Sequence, residues 1–237
     1  MHVLFVAMVS LAGLIGSISL GGAISRAVRR DRKALPPGAG PAERTENVRR
    51  ILKHLVRSPI ASLTDGTAAV VHGAVAGPAS LVAPLSGTPC IGYHVWIRAS
   101  GVGVDRSLLH DRAACADFTV TDTTGAIHVQ GGGLELAITH APAMIYMLPF
   151  PPWLVPLLPR RLDSPMVEVA EGLLREGDEV LVCGVTAIER QVDDNYRDGT
   201  TVTASLQATP TFPLVASTDL DLLRQGDRPI DPAELPR

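Results

Sequence analysis

Three cysteines and seven histidines hold most of the chemistry open to this chain. Cys90 follows Pro89 at the start of an expected strand. A thiol attacks only as thiolate, which needs a neighbouring base or positive charge. His94 lies four residues on, and in an extended chain residues four apart share a face but stand roughly 13 Å apart. His94 therefore cannot activate Cys90 directly, and His110, His128 or His140 could approach only through folding. Two readings stay open: a reactive thiol, and a small buried apolar cysteine. Ser86-Gly87 lacks the G-x-S-x-G surroundings of a nucleophile and reads as a tight turn. Asp193, Asp194, Asn195 and Asp198 form an acidic loop without the calcium-loop pattern and read as solvated. Cys90, Cys115 and Cys183 make no close pair, so a tetrahedral zinc site is not expected. No catalytic residue, metal ligand or cofactor is assigned. Trp96 falls on the polar side of its strand and, with Cys90 and Tyr93, makes up the candidate binding residues.

The elements that must position these residues are mainly strands. Ile91, Tyr93, Val95 and Ile97 alternate with Gly92, His94, Trp96 and Arg98, the two-residue period of a half-buried strand. Thr67 to Val75 is rich in small and β-branched residues, as a strand requires. Phe118–Thr121 and Ala126–Gln130 flank Asp122-Thr123-Thr124-Gly125, a hairpin signal. Glu179–Ile188 is an apolar run after Gly177-Asp178, the pattern of a central buried strand. Val202, Ala204 and Leu206 alternate with Thr201, Thr203 and Ser205, and Leu220–Arg224 predicts a last short helix. Before the strands, Val48, Ile51, Leu52, Leu55 and Val56 form one helical stripe within residues 43–58, opposite a basic face. The stripe either packs on the following domain or lies on anionic headgroups; its narrowness and lack of aromatics favour packing.

The N-terminal run Val3 to Ile24 contains no charged residue and reaches roughly 30 Å as a helix, the thickness of a bilayer core. Arg26, Arg29, Arg30, Arg32 and Lys33 follow it, interrupted by Asp31. A cleaved signal would carry its positive charge first, so this order predicts an uncleaved single-pass anchor with the N-terminus outside and the rest cytoplasmic. Gly13, Ser17 and Gly21 fall on one face and could let two anchors pair. The expected organisation is an anchor over 1–25, a basic juxtamembrane and Pro/Gly linker over 26–42, the amphipathic helix over 43–58, a β domain over 65–217 and a tail over 218–237. Residues 141–159 are apolar but hold six prolines, which forbid a regular span in lipid. They are either core or a loop touching the membrane, with Phe150, Trp153 and Leu154 as candidate interface residues.

Aromatics make up only 4% of residues, so the core must be built from aliphatic side chains. The net charge is −3; Arg26–Lys33 contributes +4, leaving about −7 elsewhere, which argues against nucleic acid as a partner of the folded part.

Three blocks carry a family resemblance: Pro84-Leu85-Ser86-Gly87-Thr88-Pro89-Cys90-Ile91-Gly92-Tyr93, then Asp122 to Gly125, then Gly177, Asp178, Val180, Val182 and Gly184. In this order, over roughly Gly66 to Ser217, the chain resembles the GIDE or BAM ("beside a membrane") domain, the non-RING part of the mitochondrial membrane-anchored RING-type ubiquitin ligase. The chain has no C-terminal RING and no clear second membrane helix, and three scattered cysteines cannot form a RING. The resemblance implies a membrane-tethered β module in a stress or defence pathway, without ubiquitin transfer of its own. The expectation is a mainly antiparallel, barrel-like β domain behind a transmembrane helix and one amphipathic helix. It would act by binding membrane lipid and an unidentified protein or small ligand, with no cofactor. The rivals are a thiol-dependent enzyme using Cys90 and an accessory to a ubiquitin-ligase-like system.

Overall fold

The computed structural model describes residues 56–101, 106–192, 200–210 and 212–225, together with 46, 48 and 52. The expected anchor, the basic cluster, the acidic loop 193–198 and the tail beyond 225 lie outside the described residues. Among the described residues no helix is long and apolar enough to cross a membrane.

Thirteen described strands carry the architecture: β1 Ala68–Ala76, β2 Leu81–Val82, β3 Pro89–Cys90, β4 Gly92–Ser100, β5 Leu108–Cys115, β6 Phe118–Thr121, β7 Ala126–Val129, β8 Glu135–Ala137, β9 Met144–Met147, β10 Met166–Leu174, β11 Glu179–Val192, β12 Thr200–Gln207 and β13 Val215–Ser217. One short helix, α1, spans Leu220–Gln225. Strand β1 pairs with β6, β6 with β7, β7 with β12, β12 with β11, and β11 returns to β1, which closes a five-stranded barrel. All of these ladders are antiparallel except β7–β12. The connectivity is that of an OB-type Greek-key barrel. The expected mainly antiparallel barrel is therefore present, with two parallel pairings the sequence did not indicate, β7–β12 and β13–β8.

The alternation of each strand explains the closure. Val71 and Val75, Phe118 and Val120, Ile127 and Val129, and Val180 and Val182 all point into one buried cluster capped by Ile60. On the outer face of the same wall, Val70, Leu181 and Cys183 meet Phe212, Val215, Leu222 and Leu223, together with Val48 and Leu52. Strands β1 and β11 are thus covered on both sides, which is why they read as continuous apolar runs. Val48 and Leu52 sit in helical positions and are buried, so these two members of the stripe pack on the barrel.

Two long excursions leave the barrel, one between β1 and β6, the other between β7 and β11, and they find each other. Strand β4 from the first pairs with β10 from the second over nine residues, Gly92↔Leu174 through Ser100↔Met166. With β5 and β9 at the edges they make a second, four-stranded antiparallel sheet in the order β5-β4-β10-β9. The Ile91 amide donates to Leu174 O and its carbonyl accepts from the Ala116 amide, and the side chains of Ile91 and Leu174 lie in the barrel's core cluster, which ties this sheet to the barrel.

The three motif blocks fall at turns. Pro84–Ser86 is the turn between β2 and β3, and the amides of Leu85 and Ser86 donate to the Glu171 carboxylate of β10 at 2.8 and 3.1 Å. At the β6–β7 turn, Asp122 Oδ1 accepts from the amides of Thr124 and Gly125, and Oδ2 accepts from the Ile60 amide. At the β10–β11 turn, Asp178 Oδ2 accepts from the Arg175 amide at 2.7 Å, beside Gly177 at φ 85°.

Candidate binding face of the four-stranded sheet

The alternation of β4 sorts its side chains onto two faces. Tyr93 and Val95 join Ala83 and Cys90 in one buried cluster, while Ile97 packs with Leu154, Val167 and Val169 in another. His94, Trp96 and Arg98 take the opposite face. Trp96 stands opposite Asp111 on β5 and Ala170 on β10; His94 stands opposite Ala113 and Gly172.

A polar cluster results. The Nε2–H of His94 donates to Asp111 Oδ1 at 2.7 Å, with the two side chains only 2% and 8% exposed. A carboxylate on one ring nitrogen holds the proton there and leaves Nδ1 to face the rest of the cluster. Among the described residues, that Nδ1 is buried without a hydrogen-bond partner, and so is Nε2 of His140. The two rings meet edge to face at 4.8 Å, and His140 also lies 6.1 Å from Trp96. The Arg98 guanidinium stacks on the Trp96 ring at 4.7 Å.

Glycine at 172 makes this approach possible. A Cβ there would come within 3.0–3.2 Å of Ile138 and of the Thr139 carbonyl, so a bare backbone lets residues 138–140 run close across β10 without displacement. Thr139 is pinned in turn by Thr218, whose Oγ1 accepts from its amide at 2.9 Å. Burial, with His94 and Arg98 close by, pushes the His140 pKa down to about 4 against the opposing pull of Asp111, so this ring is neutral near pH 7. A buried and a half-buried imidazole with unmet hydrogen-bonding capacity, beside a half-exposed Trp–Arg stack, can receive a polar group of a ligand or an ordered water. Among the described residues no group of three or more His, Cys, Asp or Glu is placed to hold a metal ion.

The residues singled out from sequence separate accordingly. Trp96 is half-buried on the polar face, as its position in the alternation predicts. Cys90 and Tyr93 face the opposite way into the core, with Cys90 fully buried. Burial raises the Cys90 pKa, Glu171 raises it further, and Arg175 opposes them only in part. His94 is committed to Asp111 and does not serve Cys90. Of the membrane-interface candidates, Leu154 is fully buried, Phe150 packs partly against the same cluster, and Trp153 is 42% exposed. His94, Asp111 and His140 were not grouped by sequence, because β5 carries no alternation that would announce Asp111 as a neighbour of β4.

No protein-family model and no curated protein matches this chain.

Proposed function

We propose that this protein is a membrane-anchored GIDE/BAM-like module that works by binding, recruiting a partner or ligand through the His94–Trp96–Arg98 face of its four-stranded sheet. The observation that carries this reading is the His94–Asp111–His140 cluster, with two buried imidazole nitrogens that have no hydrogen-bond partner among the described residues. Polar side chains gathered on one sheet face under partial cover suit recognition, since a ligand can satisfy what the fold leaves unmet. The thiol-enzyme reading draws no support from Cys90, a core side chain whose thiol is held protonated. OB-type barrels bind oligonucleotides on the face of their second and third strands. Here that face presents Thr119, Thr121 and His128 and no Arg or Lys, which does not favour such a partner. The GIDE/BAM assignment itself rests on three sequence blocks in order, Pro84–Tyr93, Asp122–Gly125 and Gly177–Gly184.

The test is complementation of a deletion strain with full-length variants at matched expression. Trp96→Ala and His140→Ala should abolish function while the purified proteins melt within a few degrees of wild type, and Cys90→Ser should leave function intact. Loss of function in Cys90→Ser alone, with a normal melt, would transfer the assignment to thiol chemistry.

A further inference from the structure

Beyond the polar face, the proline-rich segment forms a lip at the far side of the same sheet. Leu154, fully buried, and Phe150, partly so, root it in the core beside Ile97 and Val169. Its outer residues are left in the open: Leu148 is 62% exposed, Trp153 42% and Val155 55%, with Met147 of β9 adjacent at 64%. No residue from 141 to 159 is charged, and Arg160 and Arg161, both exposed, follow at once. Asp163 is the one acidic residue nearby in sequence.

An exposed apolar surface of this kind calls for a partner, and the backbone says which. Contact with lipid requires that main-chain donors be absent or already paired. Pro149, Pro151, Pro152, Pro156 and Pro159 have no N–H to satisfy. The Leu148 amide donates to Pro165 O at 3.1 Å, and the amides of Leu154 and Val155 donate to Pro151 O at 2.9 and 3.4 Å. Those of Leu157 and Leu158 donate to Leu154 O and Val155 O at 3.0 and 3.2 Å. Among the described residues only the amides of Phe150 and Trp153 in this segment lack a partner, so the lip has little to offer an added strand and suits the headgroup boundary, where water and lipid oxygens meet those two, rather than the hydrocarbon centre. Among the described residues strand β9 lies at the sheet edge and pairs with β10 alone, which puts it at the hydrated rim. Tryptophan with flanking arginine is the composition of a membrane interface.

We propose that residues 148–158 dock into the headgroup and acyl boundary of an anionic bilayer, led by Leu148, Trp153 and Val155, with Arg160 and Arg161 on the lipid phosphates. The module would then touch the membrane at a second place besides the N-terminal anchor, and its polar face would be held at a fixed attitude to the surface. This shares with the proposed function only the reading of Val3–Ile24 as an anchor and is indifferent to what the polar face binds.

The chain has two tryptophans, so full-length Trp96→Phe reports on Trp153 alone. It is reconstituted in vesicles of equal parts phosphatidylcholine and phosphatidylglycerol. Bromine-labelled acyl chains should remove about half of the Trp153 emission, more with bromine near the headgroup than at the chain end, as insertion of roughly 5–10 Å requires. The double variant Arg160→Ala/Arg161→Ala should lose much of that quenching on the anionic vesicles. Protein that floats with vesicles while Trp153 escapes bromine and stays open to acrylamide would overturn the lip and leave the anchor standing. Shielding of Trp153 from both quenchers would show a protein cover, a second copy or another chain, and would equally overturn it. Equal quenching on pure phosphatidylcholine would remove the anionic requirement and with it the role given to the arginines.

Discussion

His140 is a base buried where a proton is unwelcome: burial comes first, then His94, with Arg98 adding to them and Asp111 opposing. The sign of its effect follows. An unfolded chain takes up this proton near pH 6.5, whereas the folded protein resists until about 4. Stability from this site is full above pH 6.5, falls as pH drops through that window, and falls no further below the folded value. Between about pH 7 and pH 4 wild type should lose ~1–2 kcal/mol more than His140→Gln, after allowance for the solvent screening of a partly exposed ring. Urea midpoints of the two proteins across that range measure the difference, and parallel curves would show that the ring titrates freely. The cysteines give a second residue-scale expectation. Burial pushes Cys115 up to about 12, with Asp117 and then Cys90 adding to it, and burial alone raises Cys183. With Cys90 raised as well, all three thiols stay protonated at neutral pH. Native protein should therefore resist a maleimide that labels all three sites after denaturation, and rapid native labelling at Cys90 would contradict its burial.

Strand β1 changes neighbours along its length, and glycine sits at the change. It pairs with β11 from Ala68 to Ala74 and with β6 from Ala74 to Ala76. At Gly73 a Cβ would stand 2.3 Å from the Thr121 carbonyl oxygen, so the barrel closes only because the side chain is missing. Gly73→Ala must push β6 away, at a cost of ~1–3 kcal/mol. Gly132→Ala meets nothing within 4 Å and should be near neutral. Thermal melts of the pair separate them, with a drop of several degrees expected for the first alone. The same elements show what sequence could and could not convey. The alternation of β4 set both its faces, and Asp122 to Gly125 marked the β6–β7 turn, because both signals are local. Strand β10 carries Val167 and Val169 alternating with Met166 and Glu168, yet its pairing with β4 joins two separate excursions and has no local signature. Strand β9 was hidden among prolines. Among the described residues it pairs on one side alone, so neighbouring residues without amide donors are tolerated there. Strand β5 is an edge strand with no apolar alternation, and with it went the register that sets Asp111 opposite Trp96 and within reach of His94.

At the scale of the whole molecule the N-terminal run and the barrel are joined by a short tether. Val48 and Leu52 are already packed on the barrel beside Leu222 and Leu223. Arg57 reinforces that side, its guanidinium donating to the carbonyls of Leu222 and Leu223. The chain from Ile24 to Glu46 can span at most ~75 Å. On the proposed anchoring, the sheet bearing the polar face and the lip is therefore confined near the bilayer. Which side of the bilayer follows from Arg26, Arg29, Arg30, Arg32 and Lys33, all placed after the apolar run. Moving those charges across a membrane is unfavourable, so the proposed topology keeps them, and all that follows them, in the cytoplasm. A reporter active only in the cytoplasm, fused after Arg237, should be active, and one that works only outside should be silent. Replacing the five basic residues with Gln while adding Lys before Val3 should invert both results. A strong signal from the external reporter on the unaltered chain would reverse the orientation and place the His94–Trp96–Arg98 face, and any partner it recruits, outside the cell.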